Sequence, residues 1–155
     1  GLELELMYQV TEAWDLMVTY GYLEAEYKDY LADLTGDGVI TDNSGLIPRN
    51  TPENTFGITT SYTTQVGDGE LKGRISYRFR DEMNSDSSNN QYGDLDSIEN
   101  LNATINYSID NYSITIWGRN LTDEREQRWA TIGGLTSRGW WNEPQTLGIT
   151  FSDSY

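Results

Sequence analysis

Leu101-Asn102-Ala103-Thr104-Ile105-Asn106-Tyr107-Ser108-Ile109, then Asp110-Asn111, then Tyr112-Ser113-Ile114-Thr115-Ile116: this stretch decides the fold. Leu101, Ala103, Ile105, Tyr107 and Ile109 alternate with Asn102, Thr104, Asn106 and Ser108. A period of two places successive side chains on opposite faces of a strand. Asp110-Asn111 interrupts the alternation, which resumes at Tyr112, Ile114 and Ile116. Two such residues between alternating runs form a hairpin turn whose twist matches that of the strands. One face of this hairpin is apolar and aromatic; the other carries Asn, Thr and Ser.

The same period extends in both directions. Leu2, Leu4, Leu6, Tyr8 and Val10 alternate with Glu3, Glu5, Met7 and Gln9, and Trp14, Leu16, Val18, Tyr20 and Tyr22 with Asp15, Met17, Thr19 and Gly21. Phe56, Ile58, Thr60 and Tyr62 mark a third run. A fourth sets Leu71, Gly73, Ile75, Tyr77 and Phe79 against Lys72, Arg74, Ser76, Arg78 and Arg80. The last sets Leu147, Ile149, Phe151 and Tyr155 against Gly148, Thr150 and Ser152. Seven strands are therefore expected, with no helix. The connections alternate in length. Residues 11–13, 64–69 and 110–111 are short, with Gly67-Asp68-Gly69 suited to a positive-φ turn; residues 28–52, 81–97 and 122–143 are long. An antiparallel up-and-down meander follows, with residues 1–10 and 146–155 as its edges. The alternation is already under way at Leu2, which predicts that more chain precedes it.

Composition narrows the function. Of 155 residues, none is cysteine or histidine, and the formal net charge is −15 with ten Lys and Arg. Thiolate chemistry is excluded, along with the commonest general base. A nucleic-acid surface would be basic, so no nucleic-acid partner is expected. Acid pairs such as Asp123 and Glu124 have no tuned partner, and the chain does not read as an enzyme. No apolar run is long enough for a membrane helix, but a barrel strand shows lipid only every second residue.

The aromatics favour that second setting. Tyr8, Trp14, Tyr62, Tyr107, Tyr112 and Tyr155 share the apolar parity beside short turns or the chain end. Tyr20, Tyr22, Phe56, Tyr77 and Phe79 share it near the long loops. Two belts result, separated by roughly 20 Å for eight tilted strand steps, close to the apolar band of an outer-membrane barrel. Leu4, Leu16, Ile58, Ile75, Ile105, Ile114 and Ile149 should face lipid, and Arg74, Arg78, Thr104 and Thr150 the lumen. The alternative is a secreted, calcium-stabilised β-sandwich used as a binding module, whose strands would also alternate.

Three segments carry a resemblance. Ile47-Pro48-Arg49-Asn50-Thr51-Pro52-Glu53-Asn54 looks like a proline-containing approach to a late strand. Trp117-Gly118-Arg119-Asn120-Leu121-Thr122-Asp123-Glu124 looks like an Asn-Leu-aromatic-Asp signature with Thr122 in the aromatic place. Glu143-Pro144-Gln145-Thr146-Leu147-Gly148-Ile149-Thr150-Phe151 looks like a proline-led last strand. In their order they resemble the C-terminal end of the barrel of TonB-dependent outer-membrane receptors. The family usually ends on phenylalanine, where this chain has Tyr155. The resemblance implies that residues 1–155 are the C-terminal portion of a transmembrane barrel of about twenty-two strands, its earlier strands and plug domain lying outside this sequence. It also implies a bacterial outer-membrane location and energy-coupled uptake of a bulky small-molecule nutrient such as an iron–siderophore complex. The implied partners are the lipid bilayer, lipopolysaccharide, the rest of the barrel with its plug, and TonB through the plug.

Within that frame some residues could carry function. Lys72, Arg74, Arg78 and Arg80 form a basic stripe of the lumen, either neutralised by acids such as Glu3 and Glu5, or meeting the plug or an anionic ligand. Asp33, Thr35, Asp37, Val39 and Thr41 have the alternate-oxygen spacing that opens a calcium loop, with Gly38 at the sharp turn but Ser44 where a bidentate Glu is usual. Ca²⁺ is the one candidate cofactor, and an ordinary Asp/Gly-rich loop the other reading. Residues 81–99 are acidic and read either as a solvated loop or as a cation collector at the lipopolysaccharide surface. Trp129, Trp140 and Trp141 could stack on a ligand ring or pack the last long loop.

Overall fold

The computed structural model describes residues 1–133 and 136–154, and the side chains of all of these except 128–133, 136 and 137. Seven strands form one antiparallel sheet: β1 (Leu2–Thr11), β2 (Trp14–Tyr22), β3 (Asn54–Val66), β4 (Gly69–Arg80), β5 (Ile98–Ile109), β6 (Tyr112–Arg119) and β7 (Thr146–Asp153). Spatial order equals chain order, so β1 and β7 are the edges. A second layer is missing among the described residues, and the sandwich alternative falls with it. There Leu95 is the only buried apolar side chain, whereas Leu4, Ile75, Ile105 and Ile149 are each more than half exposed. A sandwich would bury that apolar face against another sheet.

The register puts every apolar column on one face. Leu4 pairs with Tyr20, Tyr20 with Phe56 and Phe56 with Phe79. Ile75 pairs with Ala103, Ile105 with Ile116 and Ile116 with Ile149. Directly opposed residues share a face, so the expected sidedness of all seven strands holds. Tyr20, Phe56 and Phe79 thus form one continuous row near the long loops, and Trp14 with Tyr62 a row beside the short turns. The belt side chains also interact locally. Tyr112 stacks on Phe151 with centroids 6.0 Å apart, and the Tyr107 hydroxyl donates to the Val66 carbonyl at 3.1 Å.

The short connections are tighter than the alternation alone predicts. β3 runs on through Thr63-Thr64-Gln65-Val66 because these residues pair with residues 69–72, leaving only Gly67-Asp68 as the turn. Gly67 has φ +62° and Asp110 φ +49°, the left-handed values such turns require. The long connections hold structure that the sequence reading left out. Leu31–Ala32 pairs with Thr41–Asp42, Met83–Asn84 with Asp94–Leu95, and Gln127–Gly133 with Thr136–Trp141. Residues 81–97 are therefore not a featureless solvated loop: Ser85 and Leu95 are buried within them.

Candidate functional site

On the polar face, β4 presents Lys72, Arg74, Arg78 and Arg80 as one column. The columns beside it are neutral. Thr55, Gly57, Ser61 and Thr63 of β3 stand opposite the four cations on one side, and Asn100, Thr104 and Asn106 of β5 on the other. Glu3 and Glu5 lie on β1, three strands away, so they do not neutralise the column; that expectation fails on distance. Lys72, Arg74 and Arg78 are exposed. Among the described residues the one ion pair is Arg80 with Glu126.

Arg80 is committed elsewhere. Its guanidinium donates to the Asp81 carbonyl at 2.7 Å and the Asp96 carbonyl at 3.0 Å, besides pairing with Glu126. It fastens two long loops to the end of β4. The other fastenings join loops to each other or to a strand end. Asn50 N–H donates to the Asn84 carbonyl at 2.8 Å, and Ile47 N–H to Asn89 Oδ1 at 2.7 Å. Glu99 N–H donates to Glu124 Oε2 at 2.8 Å. At the root of the last loop, Asn120 takes the left-handed conformation, φ +48°, and is buried. Its amide donates to the Glu124 and Glu143 carbonyls at 2.9 and 3.0 Å. The Asn-Leu-Thr-Asp segment is thus the clasp that closes this loop at both ends. Asn142, also buried, donates to the Glu124 carbonyl at 2.8 Å and accepts from Glu126 N–H at 3.0 Å.

Beside this clasp the sequence reading missed two residues. Trp117 and Arg119 continue the polar parity of Ser113 and Thr115, the signal that could have found them. Gly148 lies directly opposite Trp117, and a Cβ there would overlap the indole ring. Trp117 Nε1 donates to Thr150 Oγ1 at 3.1 Å. The Arg119 guanidinium lies 5.2 Å from the Trp117 ring centroid and makes no hydrogen bond among the described residues. Attraction to the ring's electron-rich face holds it there. Trp140 and Trp141 are 71% and 58% exposed. They border a basin of about 630 Å³ with Asn100, Asn102, Arg119 and Glu143. The Trp129 side chain lies outside the described residues.

The candidate calcium loop spends its oxygens locally. Asp33 Oδ1 accepts from the N–H groups of Thr35 and Gly36 at 3.1 and 2.7 Å, and Asp33 Oδ2 from that of Gly38 at 2.8 Å. Asp37 Oδ1 accepts from Val39 N–H at 2.8 Å, while Thr41 Oγ1 turns to the Ala32 carbonyl at 3.3 Å. The Gly38 and Gly36 amides hold the Asp33 carboxyl below its ordinary pKa, and Ser44 does the same for Asp42. Among the described residues no three acidic side chains gather as a metal group would.

Comparison with known proteins agrees with this geometry. A family model described as TonB dependent receptor-like, beta-barrel, matches residues 1–121. The ferric yersiniabactin uptake receptor FyuA from Yersinia pestis superposes with a TM-score of 0.79 at 18% identity, over 99% of this chain and 23% of that one. The siderophore receptor PiuA from Acinetobacter baumannii gives 0.75 at 20% identity, over 96% and 20%. The chain thus spans about a quarter of the length of these structures or less. No curated protein matches it by sequence.

Proposed function

The chain belongs to the TonB-dependent receptor-like β-barrel family of the outer membrane, and from that premise we propose that it forms the C-terminal wall of a receptor importing a bulky nutrient, a ferric chelate first among them. The observation that carries this reading is the uncovered apolar face. Seven strands present continuous apolar columns between two aromatic rows, with nothing packed on them among the described residues. Such a face is stable against lipid and not against water. The sheet also has two unlike sides in the sense a receptor needs. Its polar face borders a basin, and its long loops stand at one end above that face. In the proposed assembly the edges of β1 and β7 pair with further strands, because an unpaired edge has no water to satisfy it within a bilayer. The plug domain and TonB enter as partners of that whole barrel.

The test is a deletion strain grown with a single nutrient source at a time. Ferric chelates, cobalamin and oligosaccharides are compared, each with and without a proton-motive-force uncoupler. Loss of growth on one ferric chelate, restored by the gene and abolished by the uncoupler, is the expected result. Recovery of the protein from the soluble fraction would refute it.

A further inference from the structure

We propose that the outward, lipid-facing side of the sheet holds a slot for one acyl chain of lipopolysaccharide, floored by Ala103 and Gly118 and roofed by Leu121, and that the chain seated there steadies the last long loop. The inference needs the outer-membrane setting and is independent of which nutrient the receptor carries.

The register fixes the slot. Gly118 lies opposite Ala103 on one side and Leu147 on the other. In the next row toward the short turns, Ile116 stands between Ile105 and Ile149. Two small residues side by side therefore leave a hollow where the neighbouring row stands proud. Leu121 covers it from the loop end: a Cβ on Gly118 would lie 2.6 Å from Leu121 Cδ2 and 3.0 Å from Leu147 Cδ2. The recess measures about 670 Å³, and Ile105, Ile116, Leu121, Leu147 and Ile149 wall it.

Its depth in the membrane names the occupant. Ala103 is opposite Ile75, one same-face step of about 6.8 Å inside the row where Tyr77 is opposite Leu101. Tyr77 belongs to the aromatic belt near the long loops, and long loops mark the external side of such barrels. The recess thus opens just beneath the headgroups of the outer leaflet and is continuous with the apolar columns that face lipid. The hydrocarbon of that leaflet is the acyl region of lipopolysaccharide. Leu147 of β7 bounds the slot, so a strand paired beyond β7 leaves its floor unchanged. A neighbouring protein surface cannot pass under the Leu121 roof, whereas a single flexible chain can.

The roof is also part of the clasp. Leu121 N–H donates to the Leu101 carbonyl at 2.8 Å, and its own carbonyl accepts from the Gln145 amide at 3.2 Å. Next to it the Thr122 hydroxyl donates to the Glu99 carbonyl at 3.0 Å. A hydrocarbon chain beneath Leu121 completes the burial of this half-buried side chain and so favours the closed clasp over the open one. Lipid occupancy and order in the last loop are coupled in both directions.

The test uses the full-length receptor in detergent, rough lipopolysaccharide as the probe, phosphatidylglycerol as the competing lipid, and native mass spectrometry to count bound lipid. The parent should retain one tightly held lipopolysaccharide in preference to phosphatidylglycerol. Ala103→Leu fills the floor and should weaken retention about tenfold or more, since each methylene kept out of the slot counts for about fourfold. Leu121→Ala removes the roof and should weaken it as well; it adds no bulk to the sheet and carries the test should Ala103→Leu fail to fold. Ile58→Leu, on the same face two strands from Ala103, should leave retention unchanged. Adding lipopolysaccharide to delipidated receptor should slow amide exchange at residues 120–124 severalfold in the parent and not in Ala103→Leu. Parental retention in folded Ala103→Leu or Leu121→Ala would overturn the proposal. So would equal loss in Ile58→Leu, or retention of phosphatidylglycerol as firm as that of lipopolysaccharide. A lipid count that ignores all three variants while the cells still import their nutrient removes this inference and leaves the receptor reading in place.

Discussion

The two ends of the sheet are built by different means. At one end, three turns close with two residues apiece, Glu12-Ala13, Gly67-Asp68 and Asp110-Asn111, and backbone conformation does nearly all the work. At the other, three long connections are held by side chains that reach far along the sequence: Arg80 to Glu126, Asn50 to Asn84, Asn120 to Glu143. The turn end needs only to reverse the chain. The loop end needs a defined surface above the polar face, and it spends its buried polar groups there. Asn120, Asn142 and Ser85 are the buried polar residues among those described, and all three belong to that end.

The sharpest way to break this contrast is Asn120→Ala. It strips the Glu124 and Glu143 carbonyls of their donor and puts alanine, which tolerates the left-handed region less well than asparagine, at φ +48°, a local loss of about 2–4 kcal/mol. Protease sensitivity at residues 122–145 should rise, with the sheet intact. Glu126→Gln comes next. It leaves the half-buried Arg80 without a countercharge, and loop protection should fall by about 1–2 kcal/mol. Amide exchange at residues 94–97 and 124–127 should report both loops loosening together. A third outcome concerns acid. The Asp33 carboxyl is held below its ordinary pKa by amides that exist only in the folded loop. Its contribution is therefore present above the unfolded pKa, about 4, and lost as pH falls through the lower folded value. The Gly36 and Gly38 amide resonances should shift over that acid range in the parent and stay still in Asp33→Asn. The smallest effect belongs to the turn end. Asp110→Gly should change stability by less than about 1 kcal/mol, since glycine accepts the left-handed conformation freely.

What the sequence made legible divides along the same line. Strand number, order and sidedness follow from parity, because a period of two survives in every run from Leu2 to Phe151. The turns follow from Gly67 and Asp110, whose backbone demands are local. The loop end does not follow, since the partner of Arg80 lies forty-six residues away and no local rule names Glu126. The same reason hid the small ribbons at 31–42 and 83–95, whose strands are two residues long and carry no period. Arg119 and Trp117 were within reach of parity, but the sequence there reads first as the lead-in to the Asn-Leu-Thr-Asp segment. The basic column was found by parity; that it lacks acids beside it needed the register of β3 and β5.

The fastenings between loops have a mechanical consequence. The first long loop is bonded to the second through Asn50 and Asn89, and the second to the third through Arg80. None can swing outward without stretching its neighbour's bonds, so force applied to one is shared by all three. They yield as a single hinged plate, and the resistance to opening is set by the weakest seam between loops and not by the stiffness of any one.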